Sequence, residues 1–172
     1  MPGLLNHSAA TVIKYLLIDA GFGSTSLSGS SWPIFVGSEP PIPDEVITIY
    51  SRNIFHKGKD SRGEVVELFG IDLRLRASEY ALGDYKILGI KNYLDKVQGV
   101  QVNVPDSTSV GEFIPAASYR VLNFSRNVSL RGAQQFLHLG KERKQNVGTD
   151  IVSESQREIF TFSGKVNLRM IT

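Results

Sequence analysis

The chain has 172 residues, 19 Lys and Arg against 17 Asp and Glu, a formal net charge of +2, and 41% hydrophobic residues. That length supports one domain with a sizeable core, and the apolar content excludes a disordered chain. The near balance of charge argues against a general polyanion binder, and the lack of cysteine excludes disulfides, thiolate metal sites and cysteine nucleophiles.

No apolar run approaches the roughly 20 residues of a membrane helix. The apolar N-terminal stretch lacks a basic start and is interrupted by Lys14 and Asp19, so a signal peptide is not expected. The sequence reads as a soluble, intracellular protein.

Residues 8–20 form the first expected helix. Ala9, Val12, Ile13, Leu16, Leu17 and Ala20 fall on one stripe, Ser8 is placed to cap the start, and Gly21 to end it. A small-residue loop is expected over 21–31. Short strands follow at 32–36 and 45–50, joined by SEPPIPD, whose prolines predict an extended, exposed link. Residues 51–63 are polar and basic and read as a hairpin loop, with 65–77 as the return strand. There GIDLRLRAS alternates: Ile71, Leu73, Leu75 and Ala77 share one face, Asp72, Arg74 and Arg76 the other.

A second helix is expected over 78–97, where Tyr80, Gly83, Ile87, Ile90, Leu94 and Val97 keep helical spacing; its glycines suit close packing on a sheet. Residues 100–117 hold a short strand, VQVNV, and then a loop, PDSTSVGEFIPA. Further strands are expected at 118–124 and 136–139, a polar loop at 141–157, and a closing strand at 158–171 with a bulge or bend at Gly164. This order, with no internal repeat, predicts a single α+β domain: a mixed, mainly antiparallel sheet with two amphipathic helices on one face and long polar loops.

The chemistry-bearing motifs are sparse. GFGSTS, 21–26, shares two glycines with a phosphate loop but lacks the third and follows a helix, so a plain loop is expected. His7, His56 and His138 lack the partners of familiar metal motifs and read as structural, and Glu64 and Glu67 as solvated charges. No catalytic residue, cofactor or metal is expected. Two basic features stand out: Arg52, His56, Lys57, Lys59 and Arg62 in the first polar segment, and Lys141, Arg143 and Lys144 in the second.

Several longer stretches carry a resemblance: IFVGSEPPIPDEVITIY, GIDLRLRASEYALGDYKILGIKNYLDKV, LHLGKERKQ and IFTFSGKVNLRM. They resemble the tail terminator proteins of long-tailed bacteriophages, also known as minor capsid or tail completion proteins. The matching positions are Phe35, Val36, Gly37, Pro40, Pro43, Asp44, Ile49, Tyr50, Gly70, Leu73, Arg74, Arg76, Ala77, Tyr80, Leu139, Gly140 and Glu142. Segments near 51–63, 100–117 and 141–157 are longer than a minimal member needs.

The resemblance implies a virion protein, assembled in the host cytoplasm, that forms a hexameric ring, caps the tail tube, stops its polymerisation and joins the tail to the neck. Its partners would be copies of itself, the tail tube protein and the neck or head-completion protein, with non-specific contact to DNA in the channel and none to membrane. Arg74 and Arg76 would then face a neighbouring subunit or the tube, where a guanidinium fork grips carboxylates. Arg52, Lys57, Lys59, Arg62, Lys141, Arg143 and Lys144 would make loop contacts ordered on assembly. A stopper protein of the neck, and a small nucleic-acid-binding α+β domain, are the alternatives.

Overall fold

The computed structural model describes residues 5–25, 32–59, 61–63, 65–126, 137–144 and 155–171. Helix α1 is Ala9–Asp19, and the side chain of Ser8 accepts from the Thr11 N–H, the expected cap. Strands β1 (Ile34–Val36), β2 (Val46–Lys59) and β3 (Val65–Ala77) precede helix α2 (Tyr80–Lys96), and β4 (Val100–Val104), β5 (Ser107–Ser109), β6 (Glu112–Ile114), β7 (Ala117–Arg126), β8 (Leu137–Lys144) and β9 (Ser155–Ile171) follow. The fold is α+β, with a seven-stranded, mainly antiparallel sheet ordered β1-β2-β3-β9-β7-β4, β8 pairing β9 off this path, and a separate β5–β6 hairpin.

Alternation along each central strand sends one set of side chains into a single core. Ile47, Ile49, Leu73, Leu75, Phe160, Phe162, Tyr119 and Val121 line the sheet's inner face, and Val12, Ile13 and Leu16 of α1 and Ile87, Ile90 and Leu94 of α2 pack on them. Both helices therefore cover the same face. Helix α2 lies close because it presents Gly83: a Cβ there would stand 2.4 Å from the Phe160 ring. The close-packing role expected for the glycines belongs to Gly83, whereas Gly89 only meets Phe22 at ordinary contact distance, 3.4 Å.

Gly164 does not mark the expected bulge. The β3–β9 register runs unbroken through it, Asp72 to Ser163, Ile71 to Gly164, Gly70 to Lys165. Instead the Phe124 ring lies over the backbone, and a Cβ on Gly164 would stand 2.1 Å from it. Phe124 there meets Phe162 edge to face, with centroids 5.9 Å apart.

Parts of three segments read as loops are strand. β2 continues through the basic stretch to Lys59, so only the residues after it turn. Beyond the pair Phe69–Val166, β3 leaves β9 and pairs β2 alone, making a two-stranded arm. PDSTSVGEFIPA contains the β5–β6 hairpin, the second basic stretch lies on β8, and residues 155–157 are the start of β9. The rest of the 141–157 segment, and half of the loop at 21–31, lie outside the described residues. In the hairpin residues 107–113 are all exposed, so the alternation that betrays a strand is missing from the sequence there.

The N-terminal segment is fastened to β7. The backbone N–H of His7 donates to the Tyr119 hydroxyl at 2.9 Å, and His7 Nδ1 lies 2.8 Å from the same oxygen. Both bonds are satisfied when the hydroxyl donates to a neutral Nδ1. Burial lowers the pKa of His7 from 6.5 and raises that of Tyr119. A lowered folded-state pKa means that the unfolded chain binds more protons below about pH 6.5, so stability falls as pH drops through that value. Thermal melts between pH 7.5 and 5 are expected to show a loss of stability that His7→Phe diminishes; equal losses in both proteins would remove His7 as the cause.

Candidate functional site

β1 pairs β2 in parallel, with Ile34 opposite Ile47 and Val36 opposite Ile49. The chain must therefore return the length of β1 before β2 begins, and residues 37–45 make that return. Three of the returning residues are proline, which leave carbonyls but no N–H for a ladder. The sheet's outer face supplies the missing donors. Arg76 Nη2 donates to the carbonyls of Pro40 at 2.8 Å and Pro43 at 2.6 Å, and Arg157 Nη1 donates to that of Pro41 at 2.9 Å. Glu39 lies between the other two arginine contacts, 2.9 Å from Arg74 Nε and 3.2 Å from Arg76 Nη1. Asp44 lies 3.8 Å from Arg157. Glu45 closes the far end, accepting from the Ser78 N–H at 3.3 Å and from the Ser78 hydroxyl, at the start of α2.

The SEPPIPD link is exposed at Ser38, Pro41 and Ile42, as its prolines predict, but it is not a free tether: it is clamped across the sheet. Arg76 keeps only 2% of its surface exposed. Its guanidinium is committed within its own chain, so a role at a subunit surface falls away for Arg76, while Arg74 keeps a part-exposed side chain, 30%. Asp72, third on that face, pairs with Arg52 of β2 and accepts from Ser163. Motif positions distant in sequence, Pro40, Pro43 and Asp44 on one side and Arg74 and Arg76 on the other, form one unit together with Arg157, which is not a motif position.

The two basic features are not brought together. Lys59 and Arg62 lie exposed on the β2–β3 arm, with Lys57 on the same strand as Lys59, while Arg52 lies exposed on β2 before the arm begins, paired with Asp72. Lys141, Arg143 and Lys144 lie on β8, which pairs with the first half of β9, Lys141 opposite Glu158 and Lys144 opposite Ser155. The arm leaves the sheet beyond Val166, toward the opposite end of β9.

GFGSTS closes α1, with Gly21 at φ +85°, and Ser24 bridges to Pro33. Its Phe22 packs on Tyr93 of α2, 5.4 Å between centroids, and the Lys86 ammonium stands 5.6 Å over Phe22 and 5.4 Å over Trp32. Desolvation there lowers the pKa of Lys86. The described part of the segment, 21–25, packs on α2 through Phe22, and Ser26 lies outside the described residues.

An open groove of about 570 Å³ lies at the end of the sheet where β4, β7 and β9 finish, lined by Asn6, Asn103, Val104, Pro105, Ala116, Ala117, Ser118, Met170 and Ile171. None of these side chains is ionisable. Among the described residues no group of His, Asp or Glu is placed to hold a metal ion.

Sequence reasoning missed the β5–β6 hairpin beside this groove. Its turn is Val110-Gly111, with φ +51° and +79°, the left-handed pair of a type I′ turn. That turn favours Asn-Gly; a β-branched residue in the first position is strained, by about 1–3 kcal/mol. Valine hid the hairpin signal. Val110 is fully exposed and Phe113 is 65% exposed. The hairpin's substantial element contacts, among described residues, are between its own strands.

No protein-family model matches this chain, and no curated protein matches it.

Proposed function

We propose that this protein is a ring-forming structural subunit of a phage tail, of the terminator type: it caps the tail tube, ends its polymerisation and offers a seat to the neck. One observation carries the reading. Large apolar side chains that a folded chain would ordinarily cover stand on elements projecting from the sheet or at their root, Ile54, opposite Phe69 where the β2–β3 arm begins, at 59% exposure, and Val110 and Phe113 on the β5–β6 hairpin. Two-stranded ribbons are marginal alone in water, and apolar residues on them suit a partner surface. The motif residues behind the resemblance support the same reading, because the β1–β3 clamp they build gives each copy a rigid frame for those projections.

Ring subunits act by shape and contact, and this role needs no substrate. Electron microscopy of tails assembled with and without the protein tests the proposal. Tubes of uncontrolled length in its absence are the expected result. Tubes of normal length with unattached heads would overturn termination and assign the protein to the neck.

A further inference from the structure

We infer that the β5–β6 hairpin of one copy docks against the β2–β3 arm of the next copy. The inference deepens the ring reading above and rests on it.

The two projections are complementary. Between residues 105 and 116 the chain carries Asp106 and Glu112 and no cation, with both acids exposed around the apolar pair Val110 and Phe113. Between 51 and 68, across both strands of the arm and its turn, it carries Arg52, Lys57, Lys59 and Arg62 against Asp60, Glu64 and Glu67, a net basic charge, with Ile54 exposed among them. One surface is acidic with an apolar tip, the other basic with an apolar side chain. A contact that buries Phe113 against Ile54 and sets Glu112 near Lys59 and Arg62 satisfies both.

Their positions say that the contact is made between copies. β2 and β4 lie on opposite flanks of the sheet, separated by β3, β9 and β7. Four strand spacings of ~4.8 Å put the flanks about 19 Å apart. The arm extends past the Phe69–Val166 pair and the hairpin past the Ala117–Val104 pair, both toward the end of the sheet where β9 finishes. Projections at one end and on opposite flanks meet head to tail when copies stand side by side. Such a contact joins unlike patches and closes a ring when the rotation between copies allows. The acids on the hairpin repel nucleic acid and anionic lipid, which removes both as its natural occupants.

The strained turn provides a test that separates folding from docking. Val110→Asn gives the turn its preferred residue, so the melting temperature of the full-length protein is expected to hold or rise. Self-association, followed by sedimentation velocity and native mass spectrometry, is expected to weaken at least tenfold in Val110→Asn and in Phe113→Ser. Glu112→Lys alone, and Lys59→Glu with Arg62→Glu alone, are each expected to lose assembly at low salt. A 1:1 mixture of those two variants is expected to recover it, with the two forms alternating in equal number.

Assembly of all four variants as tightly as the wild type overturns the docking contact and leaves the ring reading intact. A wild-type chain that remains monomeric at every concentration, alone and on tail tubes, overturns both. Failure of the mixture to recover assembly overturns the charge pairing that defines the contact. Retention of the wild type on phosphatidylglycerol vesicles or duplex DNA, abolished by Phe113→Ser, assigns the hairpin to another occupant and overturns it too.

Discussion

Replacing Arg76 with alanine is expected to lower the stability of this protein by about 3–5 kcal/mol, the cost of removing one partner from a buried, hydrogen-bonded ion pair. The guanidinium is 2% exposed and holds Glu39 and the carbonyls of Pro40 and Pro43. Without it those two carbonyls lose their donor under a segment that can offer no N–H of its own from the prolines, and Glu39 keeps Arg74 alone. Arg76→Lys is expected to recover only part of the loss, because an ammonium cannot bridge a carboxylate and two carbonyls in a plane. Urea denaturation measures both. A loss below 1 kcal/mol for Arg76→Ala would show that residues 37–45 hold their path without the clamp. The same variant separates the clamp from assembly: at temperatures where it is folded, self-association should be close to that of the wild type.

The second large effect is expected at Gly164. A methyl there would stand 2.1 Å from the Phe124 ring, so the ring must leave its place over β9 and lose its edge contact with Phe162. Overpacking of this kind costs about 1–3 kcal/mol, and occasionally more. Phe124→Leu removes the obstructing ring and is itself destabilising. The double variant Gly164→Ala, Phe124→Leu is expected to be clearly more stable than the sum of the two single losses predicts, since the residues touch and the clash exists only when both are present. Additive losses in chemical denaturation would mean that Gly164 acts through the backbone and not through the ring.

The effects of the clamp and of Gly164 fall on one strand. β9 carries Arg157 on the outer face, Phe160 and Phe162 on the inner face, and Gly164 beneath Phe124, while its sides pair with β3, β8 and β7. Damage to it is expected to reach the whole sheet. Changes in the hairpin and the arm, by contrast, alter surfaces that the core does not use.

The sequence by itself determined what depends on neighbours along the chain. The stripe in 8–20 became Ala9–Asp19, the spacing in 78–97 became Tyr80–Lys96, and the alternation in 65–77 became β3 with its inner face as expected. Those patterns are legible because burial imposes a period on residues a few positions apart. With them came the α+β class and the two helices on one face.

What only the tertiary structure decided is what covers each face. Alternation assigned Arg74 and Arg76 to the outer side of β3, but nothing nearby in sequence says that residues 37–45 fold back over it. The partners of Arg76 lie 33 to 37 positions away. The parallel pairing of β1 with β2 forces that return, and the carbonyls of its prolines accept from the arginines of the outer face. The hairpin escaped for the opposite reason: its residues are exposed and carry no burial period, and only the ladder of backbone hydrogen bonds makes them strands.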